Sequence, residues 1–130
     1  MIVVDASCAL ELVLRRPASL AIAQRLLTAA EPLAAPEFVD VEVCNVLRRL
    51  WLRGNLTEER GRQALEALAA LPLERFPHGE LLTRVWQWRA NLTAYDATYV
   101  ALAEALDAPL ATCDKKLAAA VGRQVRIELF

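Results

Sequence analysis

The segment Thr93–Leu117, TAYDATYVALAEALDAPLATCDKKL, places the strongest constraint on what this chain can fold into. Its pattern predicts, in order, a helix start, a short amphipathic helix, a turn, a short strand and a second helix start. An aspartate stands at each helix start, Asp96 and Asp114. Because α/β proteins place their chemistry at helix starts and at the carboxyl ends of parallel strands, the segment predicts an α/β fold with an acidic site.

The rest of the chain continues this alternation of short strands and helices. Apolar runs typical of buried parallel strands predict five strands, at Ile2–Val4, Leu33–Ala35, Leu73–Phe76, Leu110–Thr112 and Val125–Leu129. Helical periodicity and capping residues predict helices from Asp5 to Leu14 and at Ser19–Ala30, Glu37–Arg53, Thr57–Leu71, Glu80–Ala90, Tyr95–Leu106 and Asp114–Val121. We therefore expect residues 1–130 to form one domain, an α/β/α sandwich around a central, mostly parallel sheet of four to five strands.

The order of the strands decides whether the acidic residues can meet. In a doubly wound sheet the first strand is central, and a later strand lies beside it across the topological switch point. If that later strand is Leu110–Thr112, then Asp5 and Asp114 emerge side by side at the carboxyl edge of the sheet. The helices that carry Glu42 and Asp96 then need only reach the same edge.

Histidine and cysteine usage disfavours several other kinds of site. The single histidine, His78, follows Pro77 in a predicted loop, where it is poorly placed to serve a serine or cysteine triad. The three cysteines, Cys8, Cys44 and Cys113, form no CxxC pair, which disfavours a disulfide framework or a thiolate metal site. The carboxylates are therefore the remaining candidates for catalytic or metal-binding side chains.

Each acid taken alone has a structural explanation. Asp5 and Asp114 are suited to cap helices, and Asp96 stands three residues after Thr93, as in a capping box. Glu42 fits a solvated helix position paired with an arginine. Together, however, clustered carboxylates repel one another and resist burial, so proteins seldom bring them together without a cation. Oxygen ligands suit Mg²⁺ or Mn²⁺, and one or two such ions can promote phosphodiester hydrolysis.

Four segments carry a resemblance to a known family. They are IVVDAS, EVCNVLRR, YDATYVALAEAL and LATCDKKL, and in this order they extend over essentially the whole chain. With them the chain resembles the PIN-domain ribonucleases, and in particular the VapC-type toxins of bacterial and archaeal toxin–antitoxin pairs. The YDATYVALAEAL segment followed by T-x-D-x-x-L is the most specific part of the resemblance.

The resemblance implies a metal-dependent endoribonuclease that uses Mg²⁺ or Mn²⁺. It implies that the metal-binding, catalytic acids are Asp5, Glu42, Asp96 and Asp114. It also implies supporting polar roles for Ser7, Asn45 and Thr112. Asp40 is kept as a substitute for Glu42, although it points elsewhere on the same predicted helix.

Basic residues near the acids are the candidates for contacts with RNA phosphates. The net charge of −1 is not typical of a nucleic-acid-binding protein. A metal bound by four of the 16 acids would, however, leave the 15 basic residues in excess of the remaining acidic ones. The candidate phosphate contacts are Arg48, Arg49, Lys115 and Lys116. Some relatives carry a further acid where Lys115 and Lys116 stand, so a second ion is expected to bind weakly or only together with RNA.

Composition bears on partners and location. Apolar residues make up 56% of the chain, and tryptophans stand on two predicted helices, at Trp51, Trp86 and Trp88. This high apolar content favours a homodimer. The resemblance implies a second partner, a protein antitoxin. No apolar run has the length of a membrane span, and the start MIVVDAS has no signal-peptide pattern, so a cytoplasmic location is expected.

Two other functions remain open. A phosphatase or phosphotransfer domain would use Asp5 as the nucleophile. A haloacid-dehalogenase-like enzyme would, however, carry a second aspartate where Ser7 stands, and a receiver-like domain would need an aspartate near Phe76–His78. A non-catalytic interaction domain with the same fold is the other alternative, and four intact acids argue against it.

Overall fold

A parallel sheet of five strands forms the centre of the protein, for which the computed structural model describes residues 1–130. The strands are β1 (Ile2–Val4), β2 (Leu33–Pro36), β3 (Leu73–Phe76), β4 (Leu110–Thr112) and β5 (Ile127–Leu129). Their order in the sheet is β3-β2-β1-β4-β5, and all four pairings are parallel. The predicted fold class is confirmed.

The central position of β1 follows from its three consecutive apolar residues. Ile2 and Val3 are fully buried and Val4 is 2% exposed, as expected for a strand covered on both faces. Val3 pairs with β2 on one side and with β4 on the other. The prediction that β4 lies beside β1 is therefore confirmed, and the residues that follow these two strands emerge next to each other.

Seven α-helices connect and cover the strands. They are α1 (Ala6–Leu14), α2 (Ser19–Leu26), α3 (Val39–Leu52), α4 (Glu58–Ala70), α5 (Leu82–Gln87), α6 (Ala94–Ala105) and α7 (Lys115–Val121). The end of α3 matches the sequence pattern, because Gly54 follows it with a φ of 74°, a conformation that glycine adopts without strain.

Three helices differ from their predictions. Helix α2 was predicted at Ser19–Ala30 and ends at Leu26. The helix predicted at Glu80–Ala90 starts as a 3₁₀ turn, Gly79–Leu81, and its α-helical part ends at Gln87. At this end the hydrogen bonding changes to the 3₁₀ type, since the N–H of Trp88 donates to the carbonyl of Val85, three residues earlier, and not to the residue four positions earlier. Helix α6 is not amphipathic, since Ala97–Ala103 are all buried where α6 packs against β1, β2 and α5.

The tryptophans divide between the core and the surface. Trp88 is 5% exposed and belongs to the core, whereas Trp51 and Trp86 are 53% and 68% exposed. The two exposed rings leave apolar surface available to partners. None of the helices combines the length and the apolar character needed to cross a bilayer.

Two residues of α2 give a matched test of how the helix is packed. Ile22 is fully buried and Leu20 is 68% exposed. We expect Ile22→Ala to lower the free energy of unfolding by about 2–5 kcal/mol, because it leaves a cavity in the core. Leu20→Ala should change it by less than about 0.5 kcal/mol. Equal losses in urea denaturation of the two variants would contradict this packing.

Candidate active site

The four predicted acids all lie at helix starts on one edge of the sheet. Asp5 follows β1 and caps α1, and Asp114 follows β4 after one intervening residue and caps α7. Asp96 and Glu42 lie in the first turns of α6 and α3. Since β1 and β4 are parallel neighbours, their carboxyl ends deliver Asp5 and Asp114 to the same place.

Asp5 is the most constrained of the four carboxylates. Only 5% of the residue is exposed. Its Oδ1 accepts hydrogen bonds from the Ser7 hydroxyl at 2.5 Å and from the main-chain N–H of Cys8 at 3.0 Å. Its Oδ2 accepts a hydrogen bond from the Thr112 hydroxyl. Both oxygens are therefore held by donors, and the carboxylate cannot turn without breaking these bonds.

The hydroxyls of Ser7 and Thr112 also connect α1 to the end of β4. The Ser7 oxygen accepts a hydrogen bond from the N–H of Cys113 at 2.8 Å. The Thr112 oxygen accepts one from the N–H of Asp114 at 2.9 Å. Each hydroxyl thus donates to Asp5 and accepts from the backbone beside Asp114, which fixes the separation of the two acids.

Asp114 acts as a helix cap with one of its two oxygens. Its Oδ1 accepts hydrogen bonds from the main-chain N–H groups of Lys116 at 2.8 Å and Leu117 at 3.1 Å. The other oxygen, Oδ2, makes no hydrogen bond within the chain. The capping interpretation of Asp114 is correct, and it leaves one carboxylate oxygen available to a ligand.

Glu42 has a partner that the sequence did not single out. The hydroxyl of Tyr99 donates a hydrogen bond to Glu42 Oε2 at 2.7 Å. Tyr99 is 1% exposed and stands three residues after Asp96, so both project from the same side of α6. The spacing of Tyr99 from Asp96 was the only signal in the sequence that Tyr99 lies near the acids. The hydrogen bond itself could not be read from local pattern, because it joins residues 57 positions apart.

The four acids are close enough that the charge of one affects the pKa of another. Burial raises the pKa of Asp5, and the charge of Asp96 adds to the rise, while the Ser7, Thr112 and Cys8 donors oppose it. Burial also raises the pKa of Glu42, with added repulsion from Asp5 and Asp96. Burial is also the main cause of the raised pKa of Asp96, and the charge of Asp114 raises that pKa further.

No cation of the chain neutralises this cluster. The eight ion pairs of the structure include none of the four acids. Asp40, the substitute considered for Glu42, is instead held by Arg75 through two hydrogen bonds of 2.8 and 2.9 Å. An uncompensated set of oxygen donors fits a hard divalent cation. In this structure no three acidic, histidine or cysteine side chains surround one point closely enough to hold an ion.

Comparison with known proteins decides the family. The PIN domain model matches residues 2–122. Ribonuclease VapC9 of Mycobacterium tuberculosis (strain ATCC 25618 / H37Rv) is 48% identical over 117 residues, which cover 90% of this chain and 88% of the relative. The chain belongs to the PIN-domain family of VapC ribonucleases.

Solved structures agree with this fold. VapC20 of Mycobacterium tuberculosis, a Sarcin-Ricin loop cleaving toxin, superposes with a TM-score of 0.69 at 21% identity, covering 97% of this chain and 99% of that chain. VapBC2 from Rickettsia felis, bound to a DNA fragment from its promoter, gives a TM-score of 0.67 at 19% identity, with 99% and 98% covered. At these identities the likeness establishes the fold alone.

The other predicted site residues of this chain lie in different places. Asn45 and Arg49 line a surface pocket together with Glu42, next to the acids. Lys115 and Lys116 are exposed and directly follow Asp114. Arg48 instead lines the groove between α3 and α4, beside Trp51. Of the four predicted phosphate contacts, three therefore neighbour the acidic cluster and Arg48 lies apart from it.

Thr112→Val tests how much the hydroxyl donors stabilise ionised Asp5. Removing a hydrogen bond to a buried carboxylate should cost about 1.5–3 kcal/mol of unfolding free energy at neutral pH. Because Thr112 lowers the pKa of Asp5, the loss should be present above that pKa and diminish as the pH falls through it.

The control for this variant is Thr98→Val. Thr98 is also buried, but its hydroxyl donates to the main-chain carbonyl of Ala94 in its own helix. We expect a smaller loss that does not depend on pH, measured by urea denaturation between pH 5 and pH 8. Indistinguishable pH profiles for the two valine variants would refute the coupling between Thr112 and Asp5.

Proposed function

We propose that this protein is a divalent-metal-dependent endoribonuclease that hydrolyses RNA phosphodiester bonds, as the toxin of a type II toxin–antitoxin pair. The observation that carries the proposal is a cluster of four mutually repelling carboxylates, without any basic partner, in a chain 48% identical to a VapC ribonuclease. Such a cluster destabilises the folded protein at neutral pH unless its acids take up protons or a cation joins it.

Asp5, Glu42, Asp96 and Asp114 would hold the ion, which would be Mg²⁺ or Mn²⁺. When bound, it would supply Lewis-acid chemistry, namely a lowered pKa of a water and an offset to the charge of the scissile phosphate. The hydrogen bonds from Ser7 and Thr112 lower the pKa of Asp5, which favours its ionised form, and they fix the orientation of the carboxylate. Asp114 contributes its free oxygen, Oδ2, while its other oxygen continues to cap α7.

Basic side chains beside the acids orient the RNA. Arg49, Lys115 and Lys116 are exposed and make no ion pair within the chain, so their charges are available to phosphates. Asn45 adds an amide to the same surface. Because two lysines stand where some relatives carry a further acid, a second ion is held weakly or only together with RNA.

A protein antitoxin and a second copy of the chain are the proposed protein partners. The VapBC2 structure from Rickettsia felis is that of a toxin–antitoxin pair bound to its promoter, which supports an antitoxin here. Exposed apolar side chains supply the surface, among them Val41, Trp51, Leu52 and Trp86, which are 53–71% exposed. The phosphatase alternative is not favoured, since Ser7 occupies the position of its second aspartate and is engaged with Asp5.

Asp114→Asn separates a metal ligand from a helix cap. Asparagine caps helices about as well as aspartate, but it lacks the charge that a hard cation prefers. Without metal, the variant should melt at the temperature of the parent protein or above it, because one repelling charge is gone. The rise in melting temperature on adding Mn²⁺ should shrink, since stabilisation follows affinity for the folded state. Metal-dependent RNA cleavage, abolished by EDTA in the parent, should fall to background.

The matched control is Asp107→Asn, which makes the same chemical change at an exposed turn. Asp107 has a φ of 48°, which asparagine also tolerates, and it lies outside the acidic cluster. This control should keep the full Mn²⁺ shift and full activity. An Asp114→Asn protein that also kept both, or parent protein that cut RNA undiminished in EDTA, would overturn the proposed function.

The proposed homodimer is tested by light scattering on the purified protein without antitoxin. The chain has a mass of 14.4 kDa, and we expect twice that value across the micromolar range. Trp51→Lys and Trp86→Lys, examined separately, should show whether either exposed ring lies in the interface, because a buried lysine would dissociate the dimer. A monomer mass for the parent protein at every concentration would rule out the dimer.

A further inference from the structure

Glu42 is held differently from Asp5 and Asp114. Asp5 and Asp114 are fixed by main-chain N–H groups at helix starts, and Asp5 by two hydroxyls as well. Glu42 has a longer side chain, lies inside the first turn of α3 and accepts no main-chain hydrogen bond. Its single hydrogen-bond partner is the hydroxyl of Tyr99.

Repulsion would otherwise move Glu42 out of the site. The charges of Asp5 and Asp96 act on its carboxylate, and Glu42 borders an open pocket into which the side chain could turn. A hydrogen bond to an ionised group is stronger than one between neutral groups. The 2.7 Å bond from Tyr99 therefore opposes this outward rotation, and it leaves the second oxygen, Oε1, without a partner.

Tyr99 itself is firmly placed. It is 1% exposed, and the ring of Phe38 meets its ring edge-on, with centroids 5.6 Å apart and an interplanar angle of 82°. One buried side chain on α6 thus packs against Phe38, at the start of α3, and donates a hydrogen bond to the acid of the same helix.

We propose that Tyr99 is a positioning residue that holds Glu42 Oε2 and thereby aims Oε1 at the metal ion. The inference rests on the proposed function, because it assigns to Glu42 the role of a metal ligand. Tyr99 does not itself contact the ion or the RNA. Its contribution is to keep the fourth carboxylate inside a cluster that electrostatic repulsion would open.

Tyr99→Phe removes the hydroxyl and keeps the ring that packs against Phe38. We expect Mn²⁺ affinity, measured by titration calorimetry, to fall by about 10- to 100-fold, the usual effect of losing a residue that orients a ligand. Thr98→Val is the matched control, since it removes a buried hydroxyl from the same helix without touching an acid. Its Mn²⁺ affinity should equal that of the parent protein.

A double variant distinguishes positioning from a general loss of structure. Glu42→Gln should weaken Mn²⁺ binding by itself, and Tyr99→Phe should add little further weakening in that background, because its effect passes through the Glu42 carboxylate. Additive losses would show that Tyr99 acts on the fold instead, and would overturn the inference. So would unchanged Mn²⁺ affinity in a folded Tyr99→Phe protein.

Fluorine NMR gives a measurement that leaves Tyr99 in place and so does not depend on the folding of Tyr99→Phe. The chain has two tyrosines, so Tyr95→Phe protein labelled with fluorotyrosine reports on Tyr99 alone. Mg²⁺ should shift the resonance, and Glu42→Gln should abolish most of that shift. A resonance indifferent to Mg²⁺, in protein that binds Mg²⁺ by calorimetry, would contradict the inference.

The same experiments separate this inference from the proposed function. If the parent protein binds no Mn²⁺, or if Glu42→Gln leaves the affinity unchanged, then the assignment of Glu42 as a ligand fails and the inference fails with it. If Glu42→Gln weakens binding and Tyr99→Phe does not, the metal site stands and only the positioning role of Tyr99 is wrong.

Discussion

The burial of Asp5 between the ends of β1 and β4 is the constraint on which the rest of the site depends. A carboxylate that is 5% exposed needs hydrogen-bond donors. The Ser7 hydroxyl and the Cys8 main-chain N–H come from the next three residues of the chain, and the Thr112 hydroxyl comes from the neighbouring strand, β4. The same hydroxyls accept from the backbone beside Asp114. The donors that stabilise one acid therefore also set the position of the second.

Around Asp5 the fold collects three more acids that it does not neutralise. Elsewhere the chain pairs its charges, as with Arg75 and Asp40 or Arg84 and Glu104. In the cluster, burial and mutual repulsion raise the pKa of Asp5, Glu42 and Asp96. The packed sheet and helices hold these carboxylates near one another although they repel, and a bound divalent cation would offset this repulsion.

Local signals in the sequence were enough for the strands and for two of the acids. The apolar run Ile2–Val4 and the Leu110–Thr112 strand were predictable because a buried parallel strand is continuously apolar, and the rule for the switch point then places Asp5 beside Asp114. The bond between Tyr99 and Glu42 was not predictable, because it joins residues far apart in the sequence and depends on where the tertiary fold places the starts of α3 and α6. The 3₁₀ turn at the start of the Glu80–Ala90 helix was missed, because 3₁₀ turns are frequent at helix ends and the sequence pattern does not distinguish one from a first α-helical turn.

The most direct test of this account is the melting temperature as a function of pH, measured in EDTA and in saturating Mg²⁺. A raised pKa in the folded state contributes stability that is present below the unfolded value, roughly 4, and is lost as the pH rises through the folded value. In EDTA the cluster should therefore destabilise the protein as the pH rises from roughly 4 through the raised pKa values of the three acids. In Mg²⁺ the trend should reverse, because the ion binds the ionised carboxylates. Identical pH profiles with and without the ion would contradict the claim that this cluster is a metal site.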